Sequence, residues 1–254
     1  MTTLIDTINH GPVRELRLAR PPVNALNPAL CRALVVAVDE AVNAGSHGIM
    51  LSGGARVFSA GLDVPYLMSL GDDRDALRNA WEAFFAAARA LANCPVPVAV
   101  AMEGHAPAGG CVLALCCDHR VMADAPIQIG LNETHVGLAV PEGVQHLLRR
   151  TIGHRRAERM LLVGAMVEAR EAHAIGMVDA LATPGEAEAD ALAWLESLER
   201  LPRAPMLATR ALSRADMIHA LSPGELDIEQ PIRDWSHPDT QQALRALLAK
   251  LGKA

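Results

Sequence analysis

Aromatic residues are scarce in this chain. They make up 3% of its 254 residues, with a single Tyr. A surface that stacks successive bases on aromatic rings is therefore a poor fit. Positive charge is not in excess either. Lys and Arg number 23 against 29 Asp and Glu, a formal net charge of −6. Nothing in that balance favours nucleic acid or an anionic membrane as a partner. Runs of about 18 apolar residues are absent, so no membrane-spanning helix is expected. The stretch MTTLIDTINHGPVRELRLA lacks the charged-then-apolar order of a secretory signal. It also lacks the Arg-rich, acid-poor character of a transit peptide. No CxxC pair occurs among Cys31, Cys94, Cys111, Cys116 and Cys117. An odd number of thiols inside apolar runs reads as reduced and buried, and a cytoplasmic location is the expectation.

Several chemistries lack their signatures. There is no GxGxxG after a strand, no GxxxxGK[ST] and no GxSxG. Ten His are scattered without HExxH or any other metal-ligand spacing. His105 and His135 therefore read as structural residues. Ser59 has no signalled His–Asp partner and reads as a small loop residue. The basic cluster Arg149, Arg150, Arg155, Arg156 and Arg159 reads as a solvated face.

What is present is apolar: 51% of residues, against 20% charged, enough for a sizeable core. VRELRLA (13–19), GIMLSGG (48–54), PVPVAVAMEG (95–104), HRVMAD (119–124) and MVDALA (177–182) read as strands. Residues 29–44 place Leu30, Leu34, Val38 and Val42 four apart, a helix face that Gly45 ends. Helical patterns also cover 72–92, the apolar AGGCVLALCCD, and about 141–150, 155–163 and 168–175. Strand and helix alternate over the first 180 residues, which predicts an α/β core. From about 185 onward the pattern is almost entirely helical. The expected division is a core at 1–183 and a helical subdomain at 184–254, with TPGE (183–186) as a hinge.

Two strand-to-turn stretches are rich in glycine: SGGARVFSAGLDV (52–64) and AMEGHAPAGGCVLA (101–114). Glycine lets a backbone approach a ligand closely, and a turn entering a helix leaves N–H groups free. Two such turns face to face could hold one carbonyl oxygen between two N–H donors; equally, both could be ordinary strand–helix turns. Glu133, in GLNETHVGL (130–138), has no obvious cation near it in the sequence. A buried, unpaired carboxylate is costly, so it is usually either paired or used.

VFSAGLDV, HAPAGGCVLALCCDHRVMAD and IGLNETHVGL, together with RPPVNALN (20–27) and TIGHRRAERMLLVGAMVEAREAHAIGMVD (151–179), resemble the crotonase (enoyl-CoA hydratase/isomerase) superfamily. Within it the resemblance is to mitochondrial-type Δ3,Δ2-enoyl-CoA isomerases, over nearly the whole chain. It implies an α/β fold, a spiral of β-β-α repeats with C-terminal helices that build trimers or dimers of trimers. It implies an acyl-CoA thioester as substrate, no separate cofactor, and a place in fatty acid β-oxidation. Carried onto this sequence, the N–H groups of Leu62 and Gly109 match the oxyanion-hole positions. Ser59, Ala60, Gly61, Leu62 and Asp63 match the loop that touches CoA and the thioester. Asn132 matches a substrate contact, Val23 a CoA contact, and Glu133 the catalytic carboxylate.

The resemblance also bears on the reaction. Related hydratases use two carboxylates, one directly after the second glycine turn and one at the Glu133 position. Here Val112 follows Gly109-Gly110-Cys111, and valine cannot hold a water or move a proton. One carboxylate suffices for a 1,3-proton shift. Glu142, in VPEGVQ, stands where the isomerase pattern has an apolar residue and near a second acid of dienoyl-CoA isomerases. It reads as a residue that favours a helix N-terminus. If it entered the site, hydratase or dienoyl-CoA isomerase chemistry would return. A non-catalytic acyl-CoA-binding protein is the alternative of another class.

Overall fold

The computed structural model describes residues 3–250 and 252. The chain runs through β1 (Ile5–His10), β2 (Val13–Leu18), α1 (Pro28–Asn43), β3 (Gly48–Ser52), α2 (Val64–Ser69) and α3 (Arg74–Ala92). It continues through β4 (Val98–Met102), β5 (Ala106–Pro107), α4 (Gly109–Leu115), β6 (His119–Ala123), β7 (Gln128–Gly130) and a 3-10 turn at Glu133–Val136. Then follow α5 (Glu142–Ile152), α6 (His154–Val163), β8 (Met166–Glu168), α7 (Ala169–Ala174) and β9 (Ala180–Ala182). Helices α8 (Ala187–Ser197), α9 (Arg203–Ser213), α10 (Ala215–Ala220), α11 (Glu229–Trp235) and α12 (Pro238–Lys250) complete it.

Six strands form one sheet in the order β1-β2-β3-β4-β6-β9. Only the β1–β2 pair is antiparallel. A second sheet, β5-β7-β8, lies apart, and single parallel bridges, Val57 to His105 and Leu26 to Leu62, extend its layer. Each circuit of the chain thus crosses the large sheet, touches the second layer and returns through a helix. This is the expected β-β-α spiral, seen twice in full as β4-β5-α4 and β6-β7-α5.

The alternation of side chains in β4 shows how the sheet divides its faces. Val98, Val100 and Met102 enter the main core, which α1, α3 and α4 cover. Ala99 and Ala101 point the other way. Those small residues let α8 lie close, through Ala187, Ala191 and Leu195. Helix α8, counted with the helical tail by sequence, therefore packs on the large sheet. The 183–186 turn is fastened as well: the Glu103 carboxylate accepts from the N–H groups of Gly185 (2.8 Å) and Ala187 (2.7 Å). Beyond α8 the helices are tied back through Asp118. It receives Arg210 at 2.8 Å and Arg214 at 2.7 Å.

Candidate active site

Two loops and one short turn meet at a single cavity. The first loop leaves β3 and the second leaves β4. They run side by side, with Phe58 N–H donating to His105 O (2.9 Å) and His105 N–H to Arg56 O (3.1 Å). Contact is close enough that only glycine fits. A Cβ on Gly110 would stand 2.5 Å from Ser59 O, and one on Gly61 would stand 2.9 Å from Gly109 N. Gly61 also has φ +77°, a left-handed conformation that other residues rarely adopt. The segment 23–26 buttresses the first loop. Ala60 N–H donates to Val23 O (2.9 Å), Leu26 N–H to Gly61 O (2.7 Å) and Asp63 N–H to Leu26 O (3.0 Å).

These contacts leave two backbone donors over. Among the described residues, neither Leu62 N–H nor Gly109 N–H has an acceptor, and both residues line the cavity. Ala108 precedes Gly109 with φ 47° and ψ −117°, in a region that costs a non-glycine residue about 1 to 3 kcal/mol. The surrounding hydrogen bonds hold that strain, which orients the turn entering α4. Two free N–H groups at adjacent loops can stabilise negative charge on one oxygen atom.

The cavity has a volume of about 560 Å³. Its walls are mostly apolar. Trp81, Phe84 and Phe85 of α3 supply one side, Val112 and Val144 another, and Trp235, Leu244 and Leu247 come from the C-terminal helices. Glu133 opens the 3-10 turn that enters this space. Its Oε2 is shielded from solvent and finds no hydrogen-bond partner. Burial pushes its carboxyl up to about 7, with a hydrogen bond to its own backbone pulling weakly the other way. The turn is anchored from behind by α12. Thr240 Oγ1 donates to Gly137 O (2.5 Å), and a Cβ on Gly137 would lie 2.6 Å from Thr240 Cα.

Of the residues expected at the site, Val23, Ala60, Leu62, Asp63, Gly109, Asn132 and Glu133 line the cavity. Ser59 and Gly61 do not. Ser59 is fully buried and donates through Oγ to Asn24 O (2.8 Å), so it braces the loop from within. Asp63 lines the wall but its carboxylate is engaged. It receives Arg20 at 2.6 Å and caps α2 through Tyr66 N–H at 3.0 Å. Glu142 stands outside: its side chain is 71% exposed and pairs with Arg149. The aromatic wall and the contributions of α11 and α12 were not anticipated. Trp81, Phe84 and Phe85 share one face of α3 by their spacing, but nothing local shows that the face meets a cavity rather than solid core. Arg150 pairs with Asp216 and Arg155 with Glu158, as suits a solvated face. Burial pushes the thiols of Cys31 and Cys116 up to about 12, and those of Cys94, Cys111 and Cys117 upward too.

A profile described as enoyl-CoA hydratase/isomerase matches residues 9–234. This chain belongs to that family. Among its curated members it is 31% identical over 252 residues to enoyl-CoA delta isomerase 1, mitochondrial, of Homo sapiens, covering 98% of this chain and 83% of the relative. It is 33% identical over 193 residues to a putative enoyl-CoA hydratase of Thermus thermophilus, covering 74% and 75%. The crystal structure of human mitochondrial delta3-delta2-enoyl-CoA isomerase superposes with a TM-score of 0.92 at 30% identity, over 98% of both chains. The crotonase-like α/β spiral and the resemblance to the isomerase branch are thereby established. Among the described residues no helix is long and apolar enough to cross a membrane.

Proposed function

We propose that this enoyl-CoA hydratase/isomerase family enzyme converts 3-enoyl-CoA to trans-2-enoyl-CoA by a single-glutamate proton shuttle. The observation that carries the reading is Glu133. It is a carboxylate without a cation, pushed up to about 7 in an apolar cavity. A base with a pKa near the working pH both accepts and returns a proton readily. Glu133 takes a proton from C2, and the electron pair moves into the thioester to give an enolate. The N–H groups of Leu62 and Gly109 hold the enolate oxygen. Glu133 then returns the proton at C4, leaving the double bond between C2 and C3. Ala60, Asp63, Val23 and Asn132 are proposed to contact the thioester or CoA, with Ser59 and Gly61 shaping the loop that does so.

Two features support isomerisation over hydration. Val112 lines the cavity where a second acid would be needed, and Glu142 is exposed and paired with Arg149. Five buried free thiols suit a reducing compartment and support a cytoplasmic location, although the human relative is mitochondrial by name. A homotrimer or dimer of trimers, an acyl-CoA substrate without a separate cofactor, and a place in fatty acid β-oxidation complete the proposal. The test is turnover of 3-hexenoyl-CoA and of crotonyl-CoA by the wild type and by Glu133→Gln. Fast isomerisation of the first, slow hydration of the second and loss of both in the variant are expected. Fast hydration of crotonyl-CoA would overturn the single-carboxylate reading. Binding without turnover would return the protein to the acyl-CoA-binding class.

A further inference from the structure

Three pieces of the site come from separate stretches of chain: the loop ending at Leu62, the turn ending at Gly109, and the turn carrying Glu133. Something must hold them in one register, because a displacement of about 1 Å at a reacting group can cost about a hundredfold in rate. We infer that His105 is the positioning residue that locks all three together. The inference rests on the reading of Leu62, Gly109 and Glu133 as the reacting groups.

His105 is hydrogen-bonded to the first loop and to the strand that leads to the Glu133 turn, and it runs along the chain into the Gly109 turn. Its carbonyl accepts from Phe58 and its N–H donates to Arg56 O, which fixes the first loop. Three residues later comes Ala108, whose N–H donates to Gly130 O (2.8 Å), so His105 also begins the turn that presents Gly109. The imidazole makes the third connection. Its Nδ1 lies 3.0 Å from the backbone N–H of Gln128 and accepts from it. Gln128 is the first residue of β7, and Glu133 follows five residues later.

The third bond matters because the β5–β7 ladder is weak. Only Ala106–Ile129 and Pro107–Gly130 pair, and Pro107 has no N–H to donate. A side-chain acceptor at Gln128 adds a rung that the backbone does not supply. It also satisfies a donor that would otherwise be left unpaired, which keeps the start of β7 from slipping. With Nδ1 accepting, the neutral ring carries its proton on Nε2. The imidazole acts here as a surrogate carbonyl, held one strand away from the chemistry.

The test replaces His105 by Asn, Gln and Ala in the full chain. The Oδ1 of Asn lies as many bonds from Cα as Nδ1 does and can take its place; the Gln amide lies one bond further out. Three readouts are taken: kcat and KM for 3-hexenoyl-CoA, affinity for acetoacetyl-CoA as an enolate-forming thioester, and thermal stability. His105→Ala and His105→Gln are expected to lower kcat by about tenfold or more, with KM changed less than about threefold. Acetoacetyl-CoA affinity should fall in parallel, and His105→Asn should restore both to within about threefold. Equal impairment in His105→Asn and His105→Gln overturns the inference. So does an unchanged kcat in either His105→Ala or His105→Gln. If Ala fails to fold, the Asn–Gln contrast decides alone. If the wild type isomerises no 3-enoyl-CoA, the proposed reaction fails, and acetoacetyl-CoA affinities across the variants still decide the role of His105.

Discussion

Replacing Glu133 by Gln should abolish turnover and, at neutral pH, make the protein more stable. The reason is the environment of the carboxyl. An ordinary Glu titrates at 4.5, and burial pushes this one up to about 7. Below 4.5 the group is protonated whether the chain is folded or not, and it contributes nothing. Between 4.5 and about 7 the folded protein keeps a proton that the unfolded chain has released. Stability therefore falls as pH rises through that window, and above about 7 the full cost of the buried charge is present. Each pH unit is worth about 1.36 kcal/mol, so the change between pH 5 and pH 8 is about 3 kcal/mol. Residual solvent contact of the residue lowers this to about 2 kcal/mol. In a chain of this size that corresponds to about 4 to 8 °C in Tm. Gln carries no titrating proton, so its own cost of burial is the same at every pH. The assay is thermal denaturation of wild type and variant at half-unit steps from pH 5 to 8. The Tm difference, variant minus wild type, should grow with pH and level off above about 7. Wild-type kcat/KM should rise across the same window, while the variant loses about 10²- to 10⁴-fold in kcat. A flat Tm difference, or one that shrinks as pH rises, would refute the placement of Glu133 in an unpaired, desolvated position.

Four other substitutions probe separate parts of the structure. Gly61→Ala forces a side chain onto a backbone with φ +77° and against Gly109 N; it should cost about 1 to 3 kcal/mol by thermal denaturation and lower kcat at least about tenfold. Val112→Glu places an acid in the cavity wall; it should raise the ratio of crotonyl-CoA hydration to 3-hexenoyl-CoA isomerisation by about tenfold, while destabilising the fold through a buried charge. Glu142→Ala removes only a surface pair with Arg149 and should leave kcat/KM for both substrates within about twofold and stability within about 1 kcal/mol. Asp118→Ala leaves Arg210 and Arg214 without their shared carboxylate; chemical denaturation should show a loss of about 3 to 5 kcal/mol, because Arg214 is 5% exposed and cannot turn to water.

The elements legible in the sequence are those whose burial is one-sided or complete over several turns. Leu30, Leu34 and Val38 are buried where the four-residue spacing of α1 placed them. The apolar run of β4 is buried at every position. Strand β1 escaped because it is an edge strand with all six of its residues half-buried or exposed, so IDTINH carries no clean alternation. Strands β7 and β8 have three residues each, too few for a period to show. Asp63 caps helix α2, a local role. Its pairing with Arg20 spans 43 residues, and no local pattern announces it. Ser59 is a similar case, since its bond to Asn24 O crosses 35 residues.

The same limit governs Glu133. That no cation stands near it in the sequence is weak evidence by itself, because charges in this fold find partners far along the chain. Arg78 reaches Glu229 across 151 residues, and Arg210 reaches Asp118 across 92. Any of the scattered arginines could have come to Glu133 in the same way. What keeps them out is the wall built from Trp81, Phe84, Phe85, Val112, Trp235, Leu244 and Leu247, residues drawn from α3, α4 and the C-terminal helices. Arg20, the cation that lines the cavity, is taken by Asp63. In the proposed reaction Asp63 would act through Arg20, without moving a proton itself. By holding the guanidinium at 2.6 Å it leaves the second carboxylate of the cavity unpaired, and an unpaired carboxylate titrating at about 7 is what a reversible proton carrier at neutral pH requires.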